Sequence, residues 1–156
     1  MEESTLKYWK DAGHVARRTL EAMKLELTPG KTFHEVIEAA ERYIHRHGGK
    51  PAFPGTIAIN DLAAHFTTDH AINQVEGWDG EMILQKGDCV KIDFGVHIKG
   101  HIADNALTFE IGNGNEHTEQ IKAAKEARDA AIEMMHPGTP WYKVGQAAAQ
   151  PSLDAG

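Results

Sequence analysis

Between Val90 and Phe109 apolar and polar side chains alternate one for one. Val90, Ile92, Phe94, Val96 and Ile98 are interleaved with Lys91, Asp93, Gly95 and His97. That period of two marks a half-buried strand. Lys99-Gly100 suits a two-residue turn with a positive φ at Gly100, so the segment is predicted to be a β-hairpin. With that loop, Ile98 faces His101 and Gly95 faces Asp104. Asp93 and Asp104 then share the polar face as diagonal neighbours, with backbones roughly 7–8 Å apart. Ile92, Phe94, Val96, Ile98, Ala103, Leu107 and Phe109 fall on the other face. A one-residue slip would bury the aspartates, so the register is strongly specified.

Around the hairpin the pattern turns helical. Trp9, Gly13, Ala16, Leu20 and Met23 recur at spacings of three and four and predict one helix over the first 26 residues, stopped by Thr28-Pro29-Gly30. Thr32 with Glu35 is a capping box for a second helix, whose apolar face is Phe33, Val36, Ile37, Ala40 and Ile44 and which Gly48-Gly49 ends. His45 and His47 near that end read as partners of the helix dipole rather than as metal ligands. Pro51 to Asn60 is expected as a short strand or extended loop. Gly112-Asn113-Gly114-Asn115 is a turn cluster. A third helix is predicted from about Glu116 to Met135, with Ile121, Ala124, Ala127, Ala131 and Met134 on one side, ended by Pro137-Gly138. Thr139 is expected to cap a fourth helix with Pro140 in its first turn, cut short after Ala148. Residues 1–149 read as one partial domain and 150–156 as a truncated or non-native tail. No internal repeat or low-complexity tract is apparent.

Composition adds exclusions. Of 156 residues, 41% are hydrophobic and 25% charged, ordinary for a globular chain. A formal net charge of −7 argues against nucleic-acid binding through a general basic surface. The single Cys89 rules out an intrachain disulfide and suits a reducing, cytoplasmic setting. Neither a signal peptide nor a membrane-length apolar run is read, so no membrane partner is expected.

Two carboxylates aimed at one spot repel unless a proton or a cation lies between them. A divalent metal centre is the simplest resolution, since hard cations take oxygen ligands. Spacing alone also permits two unrelated exposed aspartates on an edge strand. His65, taken alone, reads as a partly buried structural histidine.

The residues Lys91-Ile92-Asp93-Phe94-Gly95-Val96-His97-Ile98 and Gly100-His101-Ile102-Ala103-Asp104-Asn105-Ala106 resemble the metal-binding hairpin of methionine aminopeptidases, in their type 2, archaeal and eukaryotic, branch. Upstream, Pro51-Ala52-Phe53-Pro54-Gly55 and Ile59-Asn60-Asp61-Leu62-Ala63-Ala64-His65-Phe66-Thr67 resemble the same branch. The likeness runs from about Met1 to about Gly145. It implies an α+β chain: the N-terminal half of a pita-bread fold, with helices packed on an antiparallel sheet. It further implies a metallopeptidase of family M24 that removes the initiator methionine from nascent polypeptides. Two divalent metal ions (Co, Mn, Fe or Zn) would be its cofactors, with Asp93 and Asp104 as ligands and Asp104 bridging. His65 becomes the substrate-side catalytic histidine, donating a hydrogen bond at the scissile peptide group. Such enzymes are usually monomeric.

The resemblance also sets departures. The family's site takes one His and two Glu from a second half. Here His117 and His136 are the only later histidines, and neither sits in a Gly-His-Gly setting. The chain therefore reads as a fragmentary member, inactive alone and lacking its C-terminal half as partner. The stretch from His65 to Asp93 is longer than expected, with the surplus within Asp69 to Gln85, as a surface loop, an extra hairpin or a lid. A proline-specific peptidase of the same fold and a non-catalytic pita-bread binding protein are the competing readings.

Overall fold

The computed structural model describes residues 3–68, 82–112 and 115–155. The chain divides into two compact units, Met1–Asn113 and Gly114–Gly156. The first holds helices α1 (Glu3–Glu26) and α2 (Phe33–Arg46) and strands β1 (Lys50–Pro51), β2 (Thr56–Ile59), β3 (Cys89–Ile98) and β4 (His101–Glu110). The second holds α3 (Thr118–Met134) and α4 (Trp141–Asp154). The architecture is α+β.

The β3–β4 hairpin forms in the register that alternation dictates: Ile98 pairs with His101, Gly95 with Asp104 and Asp93 with Ala106. Its turn residues Lys99 and Gly100 have φ of 50° and 81°. Two positive φ values in sequence are what a hairpin needs to match the twist of its strands. On the far side of β3 lie β1, opposite Val96 and His97, and β2, opposite Val90 to Asp93, all antiparallel. Thus β3 is central, and β4 has β3 as its strand partner among the described residues.

One face of this sheet is the core. Val90, Ile92, Phe94 and Val96 of β3 are buried against Val15, Ala16, Leu20 and Met23 of α1 and Phe33, Val36, Ile37 and Ile44 of α2. The stripe on α1 is rotated from the expected one. Trp9 is 42% exposed, and Ala12, Val15 and Thr19 are buried instead. The indole lies edge-on to His101 at 5.2 Å, so it covers the hairpin's tip rather than the core. Thr19 is tolerated inside because its hydroxyl donates to the Val15 carbonyl at 2.8 Å. The α2 capping box forms as read: Thr32 Oγ1 accepts from the Glu35 amide, and Glu35 Oε2 accepts from the Thr32 amide. His47 caps the other end of α2, its ring stacked on Tyr43 at 4.0 Å and its Nδ1 2.8 Å from the Tyr43 carbonyl oxygen.

The second unit is a helical hairpin with little interior. Ala123 of α3 and Val144 of α4 are its buried hydrophobic side chains among the described residues. Of the side chains expected on one face of α3, Ala124 is exposed and Met134 is 38% exposed. The predicted Thr139 cap does not form. Pro140 occupies the N-cap with extended backbone, and no side-chain cap bond is made. Nor does α4 stop after Ala148. It runs through Pro151, which forfeits one backbone donor, and Gln150 donates to Asp154 across the next turn. A correspondence not apparent from the sequence also emerges. Pro29-Gly30 and Pro137-Gly138 both join successive helices, with φ of 93° and 89° at the glycines, and Val36 and Val144 stand buried at matching places in α2 and α4.

Candidate active site

Opposite the core, the sheet's polar face carries a cavity of about 450 Å³ lined by Phe53, Pro54, Thr56, His65, Thr67, Asp93 and Asp104. The three residues singled out from sequence are therefore brought together. The hairpin register puts both aspartates on this face. Their cross-strand partners are small, Ala106 opposite Asp93 and Gly95 opposite Asp104, so neither carboxylate is crowded by the side chain opposite it.

The glycine at position 95 has a definite cause. A Cβ there would lie 2.4 Å from Phe53 Cε1. The Ala52 amide donates to the Gly95 carbonyl at 2.9 Å. The Ala52-Phe53 segment thus lies directly on β3, and its ring walls the cavity. Thr56, paired with Asp93, enters from β2. Phe53, Pro54, Thr56 and Thr67 were not singled out as site residues. Their proximity depends on β2 and the 51–55 segment folding over the hairpin, a non-local pairing that alternation does not encode. The run of Phe53-Pro54-Gly55 between two helix-free stretches was the available sign.

His65 sits between two anchors. At Asn60 the side chain accepts from the Cys89 amide (3.0 Å) and donates to Asp88 (3.1 Å), while the Asn60 amide donates to the Cys89 carbonyl. At the other side the Ile57 amide donates to the Phe66 carbonyl at 2.8 Å, and the Phe66 ring meets Phe33 edge-on. Held this way, His65 adopts φ of 63°, in the left-handed region where a residue with a side chain is uncommon. Such backbone is retained where the surrounding structure over-determines it.

The electrostatics centre on Asp93. Its Oδ1 is buried without a hydrogen-bond partner among the described residues. Burial foremost, then the neighbouring Asp104 carboxylate, pushes the Asp93 carboxyl above its ordinary range, and His65 opposes this. An orphaned carboxylate oxygen costs about 1–3 kcal/mol or more. A hard cation between the two aspartates would satisfy it, so these residues fit one side of a divalent-cation site. They do not complete one. No group of three His, Cys, Asp or Glu suited to a metal occurs among the described residues. Cys89, at the entry to β3, is held neutral, since burial pushes its thiol up.

The supposed surplus between His65 and Asp93 lies mostly outside the described residues. Met82 to Leu84 are described, and they are tied to the start of α2: the Phe33 amide donates to Met82, the Leu84 amide to Lys31 and the Gly30 amide to Leu84.

A methionine aminopeptidase of Thermococcus onnurineus is 38% identical over 136 residues, covering 87% of this chain and 43% of that protein. One of Archaeoglobus fulgidus is 37% identical over 147 residues, covering 94% and 47%. The chain thus spans somewhat under half the length of these relatives. Among solved structures, a methionine aminopeptidase of Thermotoga maritima superposes with a TM-score of 0.86 at 22% identity, over 100% of this chain and 62% of that one. A prolidase of Pyrococcus horikoshii gives 0.83 at 25% identity, over 99% and 43%. Both place the fold in the pita-bread class. The model of metallopeptidase family M24 matches residues 7–155, and with this span and fold the chain belongs to that family.

Proposed function

We propose that this chain supplies the first half of a methionine aminopeptidase site. The cavity that joins Asp93, Asp104 and His65 beneath Phe53 carries the reading. Asp93 and Asp104 would hold divalent metal. When bound, such ions polarise a scissile carbonyl and acidify a water molecule. The chain's own residues do the rest. Phe53 and Pro54 offer an apolar wall for an unbranched, flexible methionine side chain. His65, fixed by the Asn60 and Phe66 anchors, presents its imidazole to the peptide group that follows. A peptide amino terminus is the substrate, and residues 1–149 form the contributing domain. Further imidazole and carboxylate ligands come from elsewhere, since two carboxylates are a poor cage for a pair of metals.

The test follows from ligand counting. The 156-residue chain, purified free of host aminopeptidase, should bind Mn or Co weakly and release no methionine from Met-Ala-Ser. Adding the C-terminal half of a close relative should restore metal-dependent release, and Asp104→Asn should abolish it. Robust cleavage by the chain alone would overturn this reading. Cleavage of X-Pro peptides in preference to Met-Ala-Ser in the restored complex would favour the proline-specific alternative, which the prolidase likeness keeps in view.

A further inference from the structure

A second groove, of about 380 Å³, adjoins the carboxylate cavity. Pro54 and Thr67 line both. It is lined by His34, Glu38 and Glu41 of α2 and by Gly55 and Thr68. This volume falls within the range of ligand clefts. The two glutamates differ. Glu38 accepts from Arg42 at 3.0 Å and lies 3.4 Å from His34 Nε2, so its charge is already balanced. Glu41 has no ion pair among the described residues. Thr68 is 8% exposed, and its hydroxyl likewise has no hydrogen-bond partner among the described residues. The residue lines the groove. A nearly buried hydroxyl left open to a cleft is a donor and acceptor awaiting a ligand.

We infer that this groove holds the part of the substrate beyond the scissile bond and selects a basic side chain there. The inference rests on the aminopeptidase reading of the adjoining cavity. An amino-terminal residue ends inside that cavity, so the rest of the peptide must leave along an open path. Pro54 and Thr67 border both spaces, and Thr68 and Glu41 line the second. An extended peptide advances about 3.3–3.6 Å per residue, so residues beyond the scissile bond that pass Pro54 and Thr67 enter the groove. Thr68 hydrogen-bonds the peptide, and the unbalanced Glu41 carboxylate pairs with a lysine or arginine. Glu41 is thereby a specificity-determining residue.

Binding of C-terminally amidated Met-Ala-Lys-Lys-Ala and Met-Ala-Glu-Glu-Ala to the full, metal-free chain tests this by NMR, read at the His65 ring and the Thr68 amide. The lysine peptide should bind about three- to fivefold more tightly, the scale of an exposed ion pair. Both resonances should shift. Glu41→Gln should erase the preference and Glu41→Lys should reverse it, while the His65 shift persists and reports an intact fold. Thr68→Val should weaken both peptides alike. Equal affinities, or a preference that survives Glu41→Gln, would overturn the subsite and leave the aminopeptidase reading standing. Shifts at Thr68 without any at His65 would retain a basic-peptide groove and sink its connection to the aminopeptidase site. Shifts at neither would remove both.

Discussion

Two pairs of helices in this chain follow one plan and meet different fates. In each, a Pro-Gly turn with a left-handed glycine joins two helices, and the valine six residues after the glycine is buried. The α1–α2 pair lies on a sheet, and Val15, Leu20, Met23, Phe33, Val36 and Ile44 are buried in one cluster with β3. The α3–α4 pair has two buried hydrophobic side chains among the described residues, while Ile132, Met135, Trp141, Tyr142 and Leu153 are 50–76% exposed. The lesson is that turn chemistry and helix propensity suffice to make a helical hairpin. A core requires a second layer, because a helix pair buries only one stripe of each member.

Core truncation should show the contrast most sharply. Phe94→Ala, at a side chain 2% exposed, is expected to cost about 3–5 kcal/mol by urea unfolding. At the matched valines, Val36→Ala should cost about 2 kcal/mol and Val144→Ala less than half of that. Equal losses would mean that the second pair has as firm an interior as the first. Gly95→Ala comes next. Its Cβ would drive into Phe53, so a loss of about 1–3 kcal/mol is expected, with weakened peptide binding in the cavity.

A smaller effect should appear in Asp93→Asn without metal. Because burial and Asp104 raise the Asp93 carboxyl from its ordinary 3.8, the folded state holds that proton more tightly than the unfolded one. Asp93 is therefore least costly below the ordinary carboxylate range, and stability is lost as pH rises through the raised value. The asparagine variant should be the more stable protein near neutral pH, and the difference should shrink as pH falls toward 4. A variant less stable at every pH would contradict this account. Least of all, Trp141→Gln and Leu153→Gln should change stability by under about 0.5 kcal/mol while reducing dye binding to exposed apolar surface.

What the sequence disclosed follows the reach of its signals. The hairpin was legible to the residue, because alternation, a Lys-Gly turn and two aspartates each constrain the same register. The α2 capping box was legible because its reciprocal bonds are local. Trp9 was misplaced because a spacing of three and four fits two adjacent stripes of α1, and only the hairpin's tip decides between them. The fourth helix, expected to stop after Ala148, runs on through Pro151 at the loss of one backbone donor. The site was half legible. Asp93, Asp104 and His65 stood out, while Phe53 over Gly95 depends on a chain crossing that no short window contains.

The anchors around residues 66 and 82–84 have a consequence for how such chains diverge. Phe66 is bonded to β2, and Met82 to Leu84 are bonded to the entrance of α2. Whatever joins these fixed points can lengthen or shorten at a loop-closure penalty that grows only with the logarithm of its length. The geometry binding His65 to the aspartate-bearing strand lies upstream of it, through Asn60. A change of length in that connection would therefore leave the spacing of Asp93, Asp104 and His65 unchanged.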